Sequence, residues 1–363
     1  MGYLETPEYK IYSREELKSI KPDMPDENIG KLVKAGWDRI AKPLDSLGVF
    51  EDLISRIGMI SGSADIDIGK KAVIIMCADN GIVDEGVSQC GREVTAAVAR
   101  SMGEAGSSVG KMAAYVHADT IPVDIGIDTS EKIKGVLDRK VRRGTRNFAT
   151  EPAMSDEETL RAISTGIDMV KICRDKGYRL IATGEMGIGN TTSSSAVASA
   201  LLKVGPDDIT GRGAGLDDAG LSRKRTVIKK SIEKYGLYDK TPFEILKTVG
   251  GLDIAGLAGV CIGGALYHIP IVLDGVISMV SALVAERLVP GVKDYLIPSH
   301  RGKEPAVNIL SDALSLNPVI DGRMALGEGT GAVMMFALLD MAMCIYNDRT
   351  SFADIEIEEY KRF

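Results

Sequence analysis

Two glutamates stand inside glycine-rich stretches of this chain, where the backbone can approach a ligand closely. Glu185 lies in TGEMGIGNTTSSSA (183–196), and Glu328 lies in LGEGTGA (326–332). Each stretch leads into a predicted helix, so a tight turn followed by a helix cap is the plainest interpretation. Two carboxylates in such loops also suit proton transfer, or the stabilisation of a cation that develops during a reaction.

The first stretch also has the features of an anion site. Backbone N–H groups and hydroxyls at the start of a helix attract negative charge, and here the residues are Asn190, Thr191 and Thr192. A second glycine loop, GRGAGLDDAGLSRKR (211–225), adds Gly213 and the cation Lys224, which can neutralise a phosphate. An exposed basic turn at a helix start is the alternative interpretation of that loop.

Two common nucleotide-binding motifs are missing from the chain. No GxxxxGK[ST] is present, which argues against a P-loop NTPase. GIGNTTSS lacks the third glycine of the dinucleotide fingerprint and falls far from the first predicted strand. An NAD-dependent oxidoreductase is therefore supported only by the glycine loops and the alternation of strands and helices.

The composition predicts a soluble cytoplasmic protein. The 363 residues carry a net charge of -7, which argues against a nucleic-acid partner, and the basic run KVRRGTR (140–146) is interpreted as a solvated face. The five cysteines are scattered, and the three histidines form no metal motif, so we expect free thiols and no metal. The polar N-terminus lacks a signal-peptide core, and we expect that no apolar run reaches the length of a membrane span.

Apolar runs alternate with helical patterns along the chain, which predicts a doubly wound parallel sheet in an α/β fold. Residues 1–60 predict amphipathic helices, and 269–290 predicts a strand followed by a buried helix. Ligands of such sheets bind beyond the carboxyl ends of the strands. The predicted strands are 70–81, 120–128 and 177–187, and the loops at their ends are 78–89, 124–129 and 183–192.

Several motifs, in this order and spacing, resemble those of the nicotinate-nucleotide–dimethylbenzimidazole phosphoribosyltransferase family. The resemblance covers roughly residues 35 to 340. The most specific motifs are GEMGIGNTT and LGEGTGA. The others are KPLDSLGVFE (42–51), ADNGIVDEGVS (78–88), GTRNFATEPAMSDEE (144–158), GRGAGLDD (211–218), VLDGVIS (272–278) and PSH (298–300).

The resemblance implies a fold, an assembly and a reaction. The fold is a large Rossmann-like domain, expected at 70–300, with a smaller, mainly helical domain made from 1–69 and 301–363. The assembly is a homodimer. The reaction transfers phosphoribosyl from nicotinate mononucleotide to a nitrogen of 5,6-dimethylbenzimidazole or a related base, with inversion at the anomeric carbon. It assembles the nucleotide loop of cobalamin and uses no cofactor.

The resemblance also assigns roles to residues. Glu328 is carried over as the catalytic base and Glu185 as a donor-site residue. Around them the predicted donor-binding residues are Gly187, Gly189, Asn190, Thr191, Thr192, Gly213 and Lys224. The predicted acceptor-binding residues are Asp79, Ser88, Gln89 and Leu326.

Some positions depart from the family pattern. Asn80 stands where histidine is usual, Asp45 where glycine is common and Asp253 where glutamate is usual, and SHRGKEPAV (299–307) lacks the usual Gly-His ending. Because Asn80, Cys90 and Gly91 lie in or just after a loop expected to line the base pocket, the acceptor can be a different one, such as a purine or a phenol. A non-catalytic nucleotide-binding partner subunit with the same fold is the other alternative.

Overall fold

The computed structural model describes residues 9–348 and 350–362. The strands, numbered in chain order, are β1 (Lys71–Ala78), β2 (Ala118–Gly126), β3 (Leu137–Asp138), β4 (Leu180–Met186), β5 (Ile271–Leu273), β6 (Leu296–Pro298), β7 (His300–Gly302) and β8 (Ile320–Met324). The helices of the first half are α1 (Arg14–Ser19), α2 (Glu27–Arg39), α3 (Val49–Ser61), α4 (Glu93–Gly103), α5 (Ser108–Tyr115) and α6 (Asp156–Asp175). Those of the second half are α7 (Asn190–Leu202), α8 (Pro206–Ile209), α9 (Asp218–Tyr235), α10 (Pro242–Val249), α11 (Leu252–Tyr267), α12 (Val276–Leu288), α13 (Ala306–Leu314) and α14 (Thr330–Asp348).

Six parallel strands form the main sheet, in the order β3-β2-β1-β4-β5-β6. The chain therefore builds outward from β1 on one side and then from β4 on the other. At the point where the order reverses, the loops after β1 and β4 diverge and leave a crevice beyond the carboxyl ends of the strands. The predicted doubly wound α/β fold is confirmed, as are the predicted strands within a few residues at each end.

The sheet is buried on both faces, as the continuous apolar runs predict. Along β1, Ala72, Ile74 and Met76 contribute to the hydrophobic core on one face, whereas Val73 and Ile75 contribute to the core on the other. This alternation follows from the two-residue period of a strand. Helices α6, α11 and α12 supply the first core, and α2, α3 and α14 supply the second.

The two ends of the chain pack in the same layer. The Trp37 ring of α2 lies 4.9 Å from the Tyr346 ring of α14, measured between centroids. The segment between β6 and α14 has a different place: β7 and β8 pair in a separate parallel two-stranded sheet, with α13 between them. The division into a large domain at 70–300 and a small domain made from 1–69 and 301–363 stays a prediction, and residues 1–8, 349 and 363 lie outside the described part.

The expectation that no apolar run reaches the length of a membrane span is wrong for α14, in length and composition alone. Of the helices in the described ranges, α14 alone is long and apolar enough to cross a membrane. More than half of its apolar window, 56%, is buried inside the protein, which is typical of a core helix. Its hydrophobic residues pack against α3, α5 and β4, and this packing accounts for its composition.

The basic run at 140–146 is largely neutralised by neighbouring carboxylates. Arg142 and Arg146 both pair with Glu158. In the same run, the Lys140 ammonium lies 3.0 Å from a carboxylate oxygen of Asp124, and Arg143 pairs with Asp128. All five cysteines are free thiols, and Cys77, Cys173 and Cys261 are the buried ones.

Candidate active site

A cavity of about 240 Å³ lies beyond the carboxyl ends of β4 and β5, under the segment that carries β7, α13 and β8. The loops that contribute to its wall include the glycine loop after β4, the glycine loop before α9 and the loop that precedes α14. The residues that line it and carry polar side chains are Ser88, Gln89, Glu185, Asn190, Thr191, Arg212, Asp274, Ser278, His300, Lys303, Glu304 and Glu328. The structure therefore brings the two predicted glutamates, which are far apart in the chain, to one cavity.

Glu328 is held in an unusual backbone conformation. Its φ is +64°, and Gly327 and Gly329 on either side also have positive φ, at +80° and +99°. A non-glycine residue in the left-handed region carries a strain of order 1 kcal/mol, so the surrounding structure must enforce it. Gly184 of β4 lets the Glu328 backbone lie close to the strand, because a Cβ on Gly184 would lie 2.5 Å from the Glu328 carbonyl oxygen.

The Glu328 carboxylate faces a helix terminus. Its Oε2 accepts a hydrogen bond of 3.2 Å from the backbone N–H of Val109, in the first turn of α5. The partial positive charge at a helix N-terminus attracts a carboxylate placed there. A carboxylate that lines the cavity is able to accept a proton from a bound ligand.

Asp274 holds the Glu328 loop to the end of the sheet. One carboxylate oxygen accepts the backbone N–H groups of Gly331 and Ala332 at 2.8 and 3.2 Å, and the other accepts that of Gly329 at 3.1 Å. Asp274 follows β5 directly and is 2% exposed. Its side chain therefore caps α14 from another part of the chain, and a buried charge is compensated by three donors and a helix dipole.

Glu185 has a strongly perturbed acidity. The pKa of its carboxyl is raised to about 8, mainly by burial and to a smaller extent by the charges of Asp253 and Asp274, which together outweigh the lowering effect of hydrogen bonds from the Asn190 amide and the Glu328 backbone. The Asn190 Nδ2 donates directly to Glu185 Oε2. The Glu328 loop touches the same group, because a Cβ on Gly327 would lie 2.6 Å from Glu185 Oε1. Before a ligand binds, Glu185 is therefore mainly protonated at neutral pH.

His300 lies beside Asp274, whose hydrogen bonds hold the Glu328 loop. The Ser299 hydroxyl lies 2.5 Å from the Leu273 carbonyl, to which it donates, and 3.0 Å from His300 Nδ1. Since that hydroxyl has given its only proton, Nδ1 carries the hydrogen and Nε2 is an acceptor in the neutral ring. Gly331 has no room for a side chain because the imidazole occupies that space.

Most of the residues predicted for substrate binding line the cavity. From the donor prediction these are Glu185, Gly187, Gly189, Asn190, Thr191 and Gly213, and from the acceptor prediction they are Ser88, Gln89 and Leu326. Glu328, the predicted base, lines it as well. Their individual roles in binding and catalysis stay predictions.

Three predicted residues are placed behind the cavity wall. Lys224 is fully buried, and its ammonium donates to Thr191 Oγ1 at 2.9 Å and to the Gly211 carbonyl at 3.2 Å. Burial lowers its pKa to about 8. Asp79 accepts the Asp128 N–H at 2.7 Å, and Thr192 is buried in α7. The chain order predicts that these residues are near the loops, but their side chains point into the protein.

The first loop reaches the cavity only with its last residues. Val87, Ser88 and Gln89 line the cavity, whereas Asn80 is fully buried below it, where its Oδ1 accepts the Ser193 hydroxyl at 2.9 Å. Cys90 and Gly91, expected at the pocket, follow the lining residues without joining them.

Several lining residues had no assigned role in the sequence prediction, although they lie inside quoted motifs. Asp274 and Ser278 belong to VLDGVIS, and His300 belongs to PSH. Glu304 accepts the Gly213 N–H at 2.9 Å, so it ties the segment after β7 to the second glycine loop. The sequence signal that could have identified Asp274 is its position as a polar residue directly after a predicted strand, whereas no local pattern marks Glu304.

Comparisons with known proteins agree on one family. A family model described as phosphoribosyltransferase matches residues 23–357. Relatives named nicotinate-nucleotide–dimethylbenzimidazole phosphoribosyltransferase include one from Acetivibrio thermocellus, 43% identical over 91% of this chain and 94% of its own. Another, from Clostridium acetobutylicum, is 42% identical over 93% and 96%. The crystal structure of CobT from Thermus thermophilus is similar with a TM-score of 0.87 at 33% identity, covering 92% of this chain and all of that one.

We expect Asp274→Asn to release the loop that carries Glu328. An amide has one acceptor oxygen, so at least one of the three backbone N–H groups loses its partner, which costs about 2 kcal/mol. Hydrogen exchange at Gly329, Gly331 and Ala332, followed by mass spectrometry of the peptide, should accelerate, and the melting temperature should fall. Asp312→Asn, at an exposed position of α13, is the matched control. Unchanged protection of these amides would show that Asp274 does not hold the loop.

Proposed function

The chain belongs to the nicotinate-nucleotide–dimethylbenzimidazole phosphoribosyltransferase family, and we propose that Glu328 is the general base of its reaction. The protein is a pentosyltransferase of cobalamin lower-ligand activation. The proposed reaction moves phosphoribosyl from nicotinate mononucleotide to a nitrogen of 5,6-dimethylbenzimidazole or a related base. The observation that carries the proposal is the meeting of Glu328 and Glu185 in one cavity.

The bond changes need one base and no acid. The N-glycosidic bond of the donor breaks, and its electron pair returns to the pyridinium nitrogen, so nicotinate leaves without protonation. The unprotonated nitrogen of the azole attacks the anomeric carbon from the opposite face, which inverts the β donor to an α product. The other azole nitrogen loses its proton, and Glu328 takes it.

Carboxyl groups around the cavity suit the charge that the reaction develops. The ribosyl carbon becomes oxocarbenium-like as the bond to the pyridinium lengthens, and nearby negative charge favours that state. Glu185 is mainly protonated before the donor binds. A cationic pyridinium beside it favours the ionised form, so we propose that donor binding is coupled to release of a proton from Glu185.

The proposed site for the donor phosphate is at the start of α7. Gly189, Asn190 and Thr191 line the cavity at the N-terminus of α7, which attracts anions. Lys224 stands behind Thr191 and donates to its hydroxyl. We propose that Lys224 orients Thr191 and adds positive charge to this part of the cavity, together with Gly213 of the second glycine loop.

The decisive test of the function is nicotinate release. Purified protein is incubated with nicotinate mononucleotide and a panel of acceptors, namely benzimidazoles, purines such as adenine, and phenols, and the products are separated by liquid chromatography. We expect nicotinate and an α-ribotide in equal amounts, with dimethylbenzimidazole or a close analogue giving the highest kcat/KM. Preference for a purine or phenol would change the acceptor only. Absence of nicotinate release with every acceptor would support a non-catalytic partner subunit instead.

Glu328→Gln is expected to lower kcat by about 100-fold or more, because general-base catalysis contributes that much. Affinity for nicotinate mononucleotide, measured by calorimetry, should remain within a few fold of the wild-type value. Glu104→Gln removes an exposed carboxylate just before α5 and should leave both quantities unchanged. A near-normal kcat in Glu328→Gln would refute the assignment of the base.

We also propose that the protein is a homodimer in the cytoplasm. What supports an additional protein contact is a row of exposed apolar side chains on one face of α14: Met334, Met341 and Ile345. Five free thiols suit a reducing compartment. Light scattering should give a mass of twice 38.8 kDa, and Met341→Glu should weaken the dimer. A mass of one chain at micromolar concentration would contradict the proposal.

A further inference from the structure

Asn190 bridges two carboxyl groups with a single nitrogen. Its Nδ2 donates to Glu185 Oε2 and also to Asp253 Oδ2, the latter at 3.1 Å. An amide nitrogen can serve both acceptors because it carries two hydrogens. The opposite orientation of the amide would turn its oxygen toward two carboxyl groups, so the two partners together decide which way Asn190 points.

Asp253 has no direct access to the cavity and can influence it only through the residues that it contacts. It is fully buried in the first turn of α11 and does not line the cavity. Its other oxygen accepts the backbone N–H of Ile254 at 3.0 Å. Space for the carboxylate depends on a missing side chain, because a Cβ on Gly187 would lie 2.6 Å from Asp253 Oδ2.

Burying a carboxylate among neutral amides costs free energy unless hydrogen bonds compensate its charge. The pKa of Asp253 is raised to about 6 because burial outweighs the lowering effect of the hydrogen bonds from Asn190 and the Ile254 backbone. The group is therefore ionised at neutral pH. Capping α11 accounts for one of its oxygens, whereas the other is directed at Asn190.

We propose that Asp253 is a positioning residue: it holds the Asn190 amide with both N–H groups toward carboxyl groups and so presents Glu185 to the donor as a hydrogen-bond acceptor. This inference rests on the proposed function, in which Glu185 faces the donor. Specificity for a cationic donor then depends on Asn190 and Asp253, although only Asn190 lines the cavity.

Replacing Asp253 in two ways separates orientation from charge. In Asp253→Asn the amide oxygen takes the N–H groups of the α11 first turn, and its NH₂ faces Asn190. Asn190 then turns its own oxygen toward that NH₂ and toward Glu185, which is stabilised as the neutral acid. In Asp253→Ala no such donor is present, so Asn190 keeps donating to Glu185 while a neighbouring negative charge is lost.

The two variants should therefore move the titration of Glu185 in opposite directions. The Asn190 hydrogen bond influences the pKa of Glu185 more than the charge of Asp253 does, so losing the bond outweighs losing the charge. The groups that face Glu185 from the elements around it also include Asp274 after β5, Cys77 on β1, and the loop of Glu328, and all of these are unchanged in both variants.

Infrared difference spectroscopy of the full chain follows this titration without any ligand. The band of a protonated carboxylic acid that disappears in Glu185→Gln identifies the group. We expect a midpoint at about pH 8 in the wild type. It should rise by about one pH unit in Asp253→Asn and fall by about one unit in Asp253→Ala. Glu244→Gln, which removes a half-buried first-turn carboxylate from α10, should leave the midpoint in place.

Other outcomes overturn the inference. A midpoint that falls in both variants shows that Asp253 acts by charge alone, and a midpoint that moves in neither shows that it only caps α11. If neither variant folds, Asn190→Ala decides: it removes the N–H donor and must raise the midpoint.

A separate arm adds nicotinate mononucleotide, which should lower the wild-type midpoint. Failure of that arm together with absent nicotinate release counts against the proposed function, whereas the ligand-free arm judges Asp253 independently.

Discussion

The hydrogen bonds from three backbone N–H groups to the buried carboxylate of Asp274 are the interaction on which the site depends. They join the carboxyl end of β5 to the first turn of α14 and so fix the loop between β8 and α14. Glu328 occupies that loop in a strained left-handed conformation that an untethered chain would leave. The buried carboxylate is tolerated because three donors and the dipole of a long helix compensate its charge.

The cavity gathers more acidic groups than a phosphate site alone would tolerate. Glu185, Asp274 and Glu328 line it, and Asp253 stands one amide behind. Burial, and to a smaller extent repulsion by Asp253 and Asp274, raises the pKa of Glu185, so the group holds a proton that a cationic ligand can displace. Positive charge is placed differently: the helix N-terminus of α7 and the buried Lys224 lie on the side of the glycine loops. The cavity therefore offers carboxyl groups that suit a cation as well as backbone N–H groups that suit an anion, as the proposed donor with its pyridinium and its phosphate requires.

Glycines make this arrangement possible in a few specific places. Gly184 lets the Glu328 loop lie against β4, and Gly187 makes room for Asp253. Gly331 makes room for the His300 ring at the start of α14. A side chain at any of these positions would push apart elements that the reaction needs in contact. The abundance of glycine in the motifs is therefore a packing requirement as well as a means of approaching the substrate.

Much of this protein is determined locally and can be inferred from the sequence. The strand periods, the helix starts and the alternation of the two predict the doubly wound sheet, because a run of apolar residues such as 71–78 is stable only when both faces are covered. The motifs around Glu185 and Glu328 predict the family and the loops of the site.

The tertiary structure alone decides what each side chain faces. Lys224 and Asp79 follow the right loops but point into the core, whereas Asp274 and His300 gain their roles from α14, which lies well over 20 residues further along the chain. Hydrogen bonds between distant segments leave no local pattern, since any short stretch contains only one of the two partners.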